Sequence, residues 1–368
     1  MKIAMLGSKG IPFPGEGGGV ERHVEELSVR LAAAGDEVTV YVRPHLIRER
    51  GQWRGVRLLG VPSIPTKHLD TITHVFFSTL HALFGGYDLI HYHGVGPSTL
   101  AWIPRIFAPR AKVVVTFHSQ DRFHKKWGFF ARLFLDFGEW TAVRFPQATI
   151  VVSHALQSYC RKRFGAKTHY IPNGVAAHPK PRAELLKEFG LAAGEYVLTV
   201  ARLIRHKGIH LLIEAWRNFP TDLKLVIVGA PSYTEDYQQY LQELSRGDPR
   251  VKFVGFQSGE MLAALYAHAA LYAHPSESEG LSLSILEAMS YGTPVLISNI
   301  PENLETIDHS GFAFQSGDVA DLADRLAAVL KDGAKRKSVG ERGQAFVKEH
   351  FAWDAIAART RRLYEKLV

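Results

Sequence analysis

The sequence contains almost no cysteine and no long apolar run. Cys160 is the single cysteine among 368 residues, which excludes an internal disulfide framework and is typical of a reducing compartment. No stretch of about 18 uncharged apolar residues occurs, so no membrane-spanning helix is expected. The opening MKIAMLGSKG has an apolar core of only four residues, too short for a signal peptide. Together these absences predict a cytoplasmic protein.

Low-complexity tracts and short-period repeats are also absent, and the charge content is moderate. Hydrophobic residues make up 46% and charged residues 22% of the chain, which is the composition of a soluble globular protein. A chain of 368 residues is long enough to form two domains of ordinary size.

The positive charge is concentrated in the N-terminal half. Residues 1–185 contain 24 Lys and Arg against 13 Asp and Glu, a net charge of +11, whereas the remainder has 20 against 23, a net charge of −3. This asymmetry predicts two domains with different partners. A basic half suits an anionic membrane, an anionic acceptor or a nucleic acid, and a solvated surface with no partner is the alternative.

Short apolar runs alternate with amphipathic stretches along the whole chain. KIAMLG, EVTVYV, YDLIHYHG, AKVVVTFHS and ATIVVSH read as buried strands, and the pattern restarts after HYIPNGV. The predicted helices cover 20–34, 209–219, 235–246, 260–267, 283–291 and 353–368. Strand–helix alternation that occurs twice predicts two doubly wound α/β domains, joined within the proline-rich stretch 172–181.

Ligands bind at the carboxyl ends of the strands in such sheets, so residues just after strands are the candidates. After the first strand come Gly15, Gly17, Gly18 and Gly19, whose bare amides before a helix suit a phosphate or a sugar oxygen. This loop does not match the G-x-G-x-x-G dinucleotide fingerprint, and a flexible surface loop is the alternative.

Histidines follow two further strands of the N-terminal half. His118 lies after what we count as the fourth strand, where a catalytic side chain would lie, although a lone histidine is more often structural. His91 and His93 raise the possibility of a metal site. Because no Asp, Glu or Cys stands at ligand spacing, we expect no metal there.

Two cations follow the first strand of the second half. Arg202 and Lys207, in TVARLIRHKGIHLLIEA, lie between a strand and a helix and would reach a pyrophosphate. Ordinary exposed loop charges are the alternative reading.

The stretch SESEGLSLSILEAMSYGTPV, residues 276–295, carries two acids eight residues apart, Glu279 and Glu287. Ser282 or Ser284 can cap the helix, so that the amides around Gly280, Leu281, Ser282 and Leu283 point at an anion. A carboxylate accepts two hydrogen bonds from a sugar diol. The spacing therefore predicts that one acid holds a sugar, the amides hold phosphates and the other acid holds a second sugar such as ribose.

These residues together resemble the retaining glycosyltransferases of family GT4, which have the GT-B fold, and the resemblance extends over essentially the whole chain. Glu279 and Glu287 match E-x7-E, and Arg202 and Lys207 match R-x4-K-G. The remaining matches are Gly18, Gly19 and Glu21 to the G-G-x-E of the first loop, Asn173 to I-P-N-G-V, and His118. Ala176 departs from the family, which usually has Asp after N-G-V.

The resemblance implies two facing Rossmann-like domains with a cleft between them. Residues 1–177 would bind the acceptor, with 350–368 packing back on them, and residues 178–349 would bind the donor. The donor would be a UDP-, GDP- or dTDP-sugar, and the acceptor a glycan or a lipid-linked acceptor. The expected reaction is hexose or deoxyhexose transfer with retention, in cell-surface or exopolysaccharide synthesis.

The family's residue roles carry over to matching positions. Arg202 and Lys207 would neutralise the diphosphate, Glu287 would bind the ribose hydroxyls, and Glu279 would hold the transferred sugar. Gly18 and Gly19 would approach the diphosphate or sugar, His118 would contact the sugar, and Phe256 would lie near the base. With no D-x-D motif at a strand end, the resemblance implies no metal and no cofactor.

The stretch 123–145, FHKKWGFFARLFLDFGEWTAVRF, suits either a membrane surface or a core. Trp127, Phe130, Phe134 and Phe137 recur at helical spacing, with Lys125, Lys126 and Arg132 nearby. Such a stripe suits an anionic membrane surface, whereas an ordinary core face is the commoner explanation. We hypothesise an enzyme that is peripheral on the inner face of the cytoplasmic membrane.

Other classes explain less of the pattern. A nucleotide-sugar epimerase would turn over the donor without an acceptor, and a non-catalytic nucleotide-sugar-binding protein would not need His118 or the glycine loop. A dehydrogenase would need the dinucleotide spacing. Nucleic-acid binding accounts for the basic half but not for the phosphate and diol residues, and we expect none.

Overall fold

The computed structural model describes residues 1–12, 18–66, 69–120, 129–176, 179–217, 219–231 and 234–368, with the side chains of 129–131 left aside. The chain divides into two compact units. The first unit comprises Met1–Asn173 and Trp353–Val368, and the second comprises Gly174–Ala352. The sequence-based boundaries, 177/178 and 349/350, lie a few residues from these positions.

The first unit is built on an eight-stranded sheet with the order β3-β4-β2-β1-β5-β6-β7-β8. Its strands are β1 Lys2–Leu6, β2 Glu37–Val42, β3 Gly51–Trp53, β4 Val56–Gly60, β5 Leu89–His93, β6 Lys112–Phe117, β7 Ala148–Val151 and β8 His169–Tyr170. Neighbouring strands are parallel except for β3, which pairs antiparallel with β4. β-branched runs such as that of β6 are buried, as central parallel strands require.

Two layers of helices cover this sheet. The helices are α1 Gly19–Ala33, α2 Asp70–Leu83, α3 Val95–Ser98, α4 Trp102–Phe107, α5 Phe129–Arg144, α6 His154–Phe164 and, from the C-terminal end, α14 Trp353–Glu365. α1 packs against α14, whereas α2 packs against α3 and α4, and α5 packs against α3 and α6. Right-handed crossovers run in opposite directions from β1 and from β5. They place α1 and α14 on one face of the sheet and the helices α2 to α6 on the other face.

The second unit is built on a six-stranded parallel sheet with the order β11-β10-β9-β12-β13-β14. Its strands are β9 Tyr196–Val200, β10 Lys224–Val228, β11 Val251–Phe253, β12 Leu271–His274, β13 Val295–Ser298 and β14 Phe312–Phe314. Its helices are α7 Ile209–Arg217, α8 Glu235–Leu244, α9 Gly259–Ala267, α10 Leu283–Ser290, α11 Pro301–Ile307, α12 Val319–Lys331 and α13 Gly333–His350. Short 3₁₀ helices cover Ala183–Phe189 and Arg205–Lys207. The core of the unit packs around the fully buried Trp216 of α7.

The predicted class, two doubly wound α/β domains, is confirmed, while two local predictions were wrong. The strand before His118 is the sixth in the chain and not the fourth, because β3 and β4 precede β5. Their sequence, GQWRGVRLLG, contains too many polar residues to give the pattern of a buried strand. Predicted helix ends at 219, 246 and 368 extend past the observed ends at Arg217, Leu244 and Glu365. At these ends the hydrophobic pattern continues into the turn residues, so the pattern does not show at which residue the helix ends.

Each sheet reverses its strand order at one place. β1 lies between β2 and β5 in the first unit, and β9 lies between β10 and β12 in the second. In doubly wound sheets the carboxyl ends of the strands beside such a reversal form the ligand-binding edge. The loops after β1 and β5, and those after β9 and β12, are therefore where a site is expected in each unit.

Candidate active site

In the second unit the loops after β9 and β12 are joined by backbone contacts. The first loop carries Arg202 and Lys207, and the second carries Glu279. The amide of Glu277 donates to the carbonyl oxygen of His206 at 2.8 Å, and Ser276 Oγ donates to the same oxygen at 3.2 Å. The two loops that carry the candidate residues thus form one edge of the second unit.

Lys207, Glu279 and His274 form a buried ionic cluster at this edge. Lys207 Nζ lies 2.5 Å from Glu279 Oε1, and His274 Nε2 lies 2.8 Å from the same oxygen. The Glu279 and Lys207 side chains are 9% and 15% exposed, so the pair is screened far less than a surface salt bridge. His274 is the last residue of β12, which fixes its position in the cluster.

The cluster keeps Glu279 ionised. Burial alone would raise the pKa of Glu279, but the ammonium of Lys207 and the hydrogen bond from His274 outweigh it and hold that pKa well below its usual range. Burial lowers the pKa of His274 despite the opposing effect of Glu279. A neutral His274 then donates from Nε2 to the carboxylate, which leaves other lone pairs of Glu279 able to accept from a ligand.

A chain of hydroxyls leads from His274 to the start of α10. Tyr272 OH lies 3.1 Å from His274 Nδ1 and 2.8 Å from Ser284 Oγ. Burial, with smaller contributions from Glu279 and Glu287, raises the pKa of Tyr272. Both acids of the E-x7-E spacing are therefore close enough to act electrostatically on one buried phenol.

Glu287 lies on the first helical turns of α10, beside Tyr266. Burial first, and the charge of Glu287 second, raise the pKa of the Tyr266 hydroxyl. The Glu287 side chain is partly buried. The structure thus places this acid on the helix that follows the Glu279 loop, as the sequence predicted.

The start of α10 differs from the expected capped helix end. Ser282 is the N-cap residue, but its side chain makes no capping bond and lies instead 3.0 Å from Ser284 Oγ. Gly280, Leu281 and Ser282 are buried, and Leu283 begins the helix. Because no serine side chain caps the first turn, its amides retain donor capacity that suits an anion.

Arg202 and Phe256 lie at exposed positions of the second unit. Among the residues that the structure describes, the Arg202 guanidinium forms no ion pair or hydrogen bond, and its side chain is exposed. Phe256 follows β11 and is 37% exposed. Arg202 therefore offers an uncompensated positive charge on the same loop as Lys207 of the ionic cluster.

In the first unit, His23, His93 and His118 meet at the ends of three elements. His23 belongs to α1, His93 ends β5 and His118 follows β6. His93 Nδ1 lies 3.3 Å from His118 Nε2, and the rings of His23 and His118 meet edge to face, with centroids 4.8 Å apart. We call these three residues the histidine cluster.

Asn173 fixes the tautomer of His23. His23 Nδ1 lies 2.9 Å from Asn173 Oδ1, an acceptor, so the proton of a neutral imidazole is on Nδ1. His23 Nε2 is buried and has no hydrogen-bond partner within the described part of the chain. His23 Nε2 therefore carries a buried lone pair that accepts no hydrogen bond from the described residues.

Burial keeps the cluster uncharged. It lowers the pKa of His23 to about 4 and the pKa values of His93 and His118 well below 6.5, and repulsion between the rings adds to the effect on His93 and His118. One nitrogen of each ring lies within 4.8 Å of the other two, a spacing that a metal ion could draw together. The 3.3 Å contact between His93 Nδ1 and His118 Nε2 is also explained by a hydrogen bond between the two rings, without a metal. Our prediction of no metal at this site stays a prediction.

The glycine loop is tied to α1 by Glu21. This carboxylate accepts from the amide of Gly18 at 2.9 Å and from the amide of Lys9 at 3.1 Å. Glu21 of the G-G-x-E match thus holds the loop ends together, and Gly19 starts the helix. Gly15 and Gly17 lie outside the described residues.

The basic aromatic stretch is described only from α5 onward. Lys125, Lys126 and Trp127 lie outside the described residues, as does the side chain of Phe130. Phe134 is partly buried and Phe137 is 46% exposed. The stripe therefore includes an outward-facing part that an ordinary core would not explain.

Sequence reasoning missed several residues of these two sites. His274, Tyr272, His23 and the contact of His93 with His118 emerge only when strands distant in sequence are brought together. His274 carried one usable signal, its position as the last residue of an apolar run directly before the 276–295 stretch. His23 carried none, since a histidine inside an amphipathic helix is unremarkable in sequence.

The chain matches two protein-family models and has relatives among known proteins. The Glycosyltransferase Family 4 model matches residues 17–178, and the Glycosyl transferases group 1 model matches residues 182–346. The O-antigen chain mannosyltransferase B of Escherichia coli is 28% identical over 56% of this chain and 54% of its own length. The GDP-mannose-dependent alpha-(1-6)-phosphatidylinositol monomannoside mannosyltransferase of Mycobacterium tuberculosis is 30% identical over 59% of this chain and 62% of its own length. The chain thus aligns with little more than half of either relative.

A solved structure matches the complete fold. Sucrose-phosphate synthase from Thermosynechococcus elongatus superimposes with a TM-score of 0.87 at 25% identity, over 100% of this chain and 99% of that one. The two family models follow each other along nearly the whole chain, and each covers one unit. The chain therefore belongs to the family 4, group 1 glycosyltransferases and has the GT-B fold.

Proposed function

We propose that this protein transfers a sugar from a nucleotide-diphosphate donor, bound by the second unit, to an acceptor received by the first unit. The observation that carries the proposal is the largely buried cluster of Lys207, Glu279 and His274, with the unpaired Arg202 on the same loop as Lys207. An ionised carboxylate paired with a lysine, together with a second cation and the first amides of α10, suits a ligand with both hydroxyls and phosphates.

The donor would be divided among these groups by charge. Arg202 and the first amides of α10 take the phosphates, and Lys207 turns its remaining N–H donors to them while it stays on Glu279. Glu279 accepts from hydroxyls of the transferred sugar, and Glu287 accepts from the ribose diol. Fixed donors that face the leaving diphosphate stabilise the charge that develops there, which is the largest single contribution in many enzymes.

The first unit would supply the sugar and acceptor contacts. His23 Nε2 holds a lone pair with no donor in the described residues, and a sugar hydroxyl is the kind of donor that it lacks. A neutral His118 can accept from or donate to a hydroxyl. Transfer with retention would break the bond from the anomeric carbon to phosphate and form the acceptor bond on the same face, and the acceptor proton would pass to the leaving phosphate.

Two relatives guide the choice of donor and acceptor. One is named a GDP-mannose-dependent phosphatidylinositol monomannoside mannosyltransferase, and the other is named for the O-antigen chain. We therefore place GDP-mannose first among the hexose and deoxyhexose donors, ahead of UDP- and dTDP-sugars. A lipid-linked or glycan acceptor in cell-surface polysaccharide synthesis, reached from the inner face of the membrane, completes the proposal.

The first experiment measures thermal shifts with GDP, UDP, dTDP and ADP, then with their sugars, with and without EDTA. A shift with one diphosphate that EDTA does not change is expected, because Arg202, Lys207 and helix amides serve in place of a metal. No shift with any diphosphate would count against the donor site. Turnover of the sugar nucleotide to another sugar nucleotide, with no acceptor present, would indicate an epimerase instead.

Three variants then separate the roles of the acids. Glu287→Gln should weaken diphosphate binding by about 10-fold to 100-fold, the worth of a charge-assisted hydrogen bond. Glu279→Gln should abolish most transfer while diphosphate affinity stays within about threefold, since it acts on the sugar. Glu277→Gln, an exposed acid in the same loop, is the matched control and should behave as wild type. Wild-type turnover in all three would overturn the site assignment.

A further inference from the structure

Helix α2 buries several polar side chains and exposes a row of large apolar ones. Its buried face includes the polar residues His74, Ser78 and Thr79, each essentially inaccessible to solvent. Its outward face carries exposed apolar side chains, namely Ile72, Phe76, Phe77, Leu80 and, one residue beyond the helix, Phe84 at 89% exposure. Hydrophobic burial normally drives the opposite arrangement. The outward face of α2 therefore exposes to water apolar side chains that would be more stable in contact with an apolar partner.

The apolar surface continues on the neighbouring helices of the same layer. α4 exposes Ile106 and Phe107, which are 60% and 66% exposed. α5 exposes Leu133, Phe137 and Trp140. α2 packs against α4, and both α2 and α5 pack against α3, so these side chains belong to one layer on one side of the sheet. We call the exposed apolar side chains of α2, α4 and α5 the apolar face.

Positive charge accompanies the apolar face. Arg105, Arg110, Arg132 and Arg144 are exposed on or beside α4 and α5, and none forms an ion pair within the described part of the chain. The acids of the same helices have partners within the protein, because Asp70 pairs with Arg43, Asp136 pairs with Arg163, and Glu139 is buried and accepts from Tyr159 OH. The unpaired charges of this surface are thus arginines.

This combination favours an anionic bilayer over a second copy of the chain. Monomeric proteins rarely expose apolar patches of this extent without a partner. A two-fold dimer through the apolar face would use the same patch on both subunits, and its arginines would approach other arginines. Phenylalanine and tryptophan side chains with arginines around them are instead the composition of a surface that lies at the lipid headgroup boundary.

We infer that the apolar face docks on an anionic membrane, with the aromatic side chains of α2, α4 and α5 at the headgroup boundary and the four arginines on lipid phosphates. No helix among the described residues has the length and apolarity to cross a bilayer. The inference deepens the proposed function by bringing the first unit to a lipid-linked acceptor. The binding itself needs neither donor nor transfer.

The test is co-sedimentation of the full chain with vesicles of phosphatidylcholine alone and of phosphatidylcholine with roughly 30% phosphatidylglycerol. Wild type should bind the anionic vesicles more strongly, and this preference should decrease with added salt. The double variant Phe76→Ser/Phe77→Ser should lower the partition coefficient by about tenfold or more. Leu304→Ser, which removes a comparably exposed apolar side chain from the second unit, should leave binding unchanged.

Each contrary result has a defined meaning. Equal sedimentation of wild type and the double phenylalanine variant, or no sedimentation of wild type, would overturn the inference. A wild-type dimer that becomes monomeric in the double variant, with no vesicle binding, would make the apolar face a protein interface and also overturn it. Unchanged circular dichroism and an unchanged nucleotide-dependent thermal shift control for folding. Vesicle binding without any nucleotide shift would count against the proposed function alone.

Discussion

Gly208 occupies the turn directly after Lys207, in a backbone conformation with φ of +67°. A Cβ built on this residue would lie 2.0 Å from the carbonyl oxygen of Pro275, in the segment that leads to Glu279. The β9 and β12 loops therefore approach each other so closely that any side chain at this position would collide with backbone. The glycine of the R-x4-K-G spacing is what lets Lys207 reach Glu279.

Gly208→Ala should destabilise the second unit by about 2–4 kcal/mol, because strain at positive φ adds to a steric clash with backbone. Diphosphate binding should weaken as well, since relief of the clash moves Lys207 away from Glu279. Thermal and urea unfolding measure the first effect, and the nucleotide-dependent thermal shift measures the second.

Gly194→Ala is the matched control for this prediction. Gly194 also has positive φ, +79°, but a Cβ there would meet nothing within 4 Å. Only the conformational strain remains, about 1–2 kcal/mol. If both variants lose the same stability, the close approach to Pro275 is not what requires glycine at position 208.

At the scale of elements, the histidine cluster joins α1, β5 and β6 through neutral rings. Burial lowers the pKa of His23 to about 4, against 6.5 in an unfolded chain. Between these two values the unfolded chain binds a proton that the folded protein does not, so folding loses stability as the pH falls through this window. Above pH 6.5 both states are neutral and the effect disappears.

His23 alone should therefore cost the folded protein about 2 kcal/mol at pH 5 relative to pH 8, because its pKa is about 4 in the folded protein and 6.5 in the unfolded chain. Urea unfolding followed at both pH values measures the loss. His23→Gln keeps a donor for Asn173 but cannot titrate, and it should show a shallower dependence on pH. The exposed His169→Gln should retain the wild-type dependence, and the prediction is wrong if His23→Gln does so too.

Periodicity predicted the central strands of both sheets and six of the helices, but not which side chains meet. The β-branched runs of β6 and β9 indicate buried parallel strands, and the chain order then places His118, Lys207 and Glu279 at strand ends. By contrast, β3 was missed because three residues with polar neighbours give no periodic signal. The sequence did not predict which face of α2 is buried either. Polar residues such as His74, Ser78 and Thr79 are buried there because of how the helix packs on the sheet, and the sequence of the helix alone does not indicate this packing.

At the scale of the whole molecule, the chain passes between its units twice. It leaves the first unit after Asn173 and returns at Trp353. The segments that follow Asn173 and precede Trp353 are paired within the second unit, where the amide of Val175 donates to the carbonyl oxygen of Phe351 at 2.8 Å. The returning helix α14 then completes the first unit, so neither unit is a continuous stretch of sequence.

The anchor of α14 is a buried hydrogen-bond chain to the central sheet. Tyr364 OH lies 2.6 Å from His91 Nδ1, and His91 Nε2 lies 2.7 Å from Thr116 Oγ1. Burial lowers the pKa of His91, so the neutral ring uses both nitrogens in this chain. Distance in sequence hides this partnership, because the sequence shows only that His91 and His93 end the same strand.

Tyr364→Phe should destabilise the protein by about 1–3 kcal/mol, because it leaves a buried ring nitrogen of His91 without its partner. The loss should appear as a lower midpoint in thermal unfolding, while the nucleotide-dependent shift of the second unit stays as in wild type. Arg362→Ala, an exposed change on the same helix, should leave the midpoint unaffected. A Tyr364→Phe midpoint equal to that of wild type would mean that apolar packing of α14, and not this hydrogen bond, holds the C-terminal helix on the first unit.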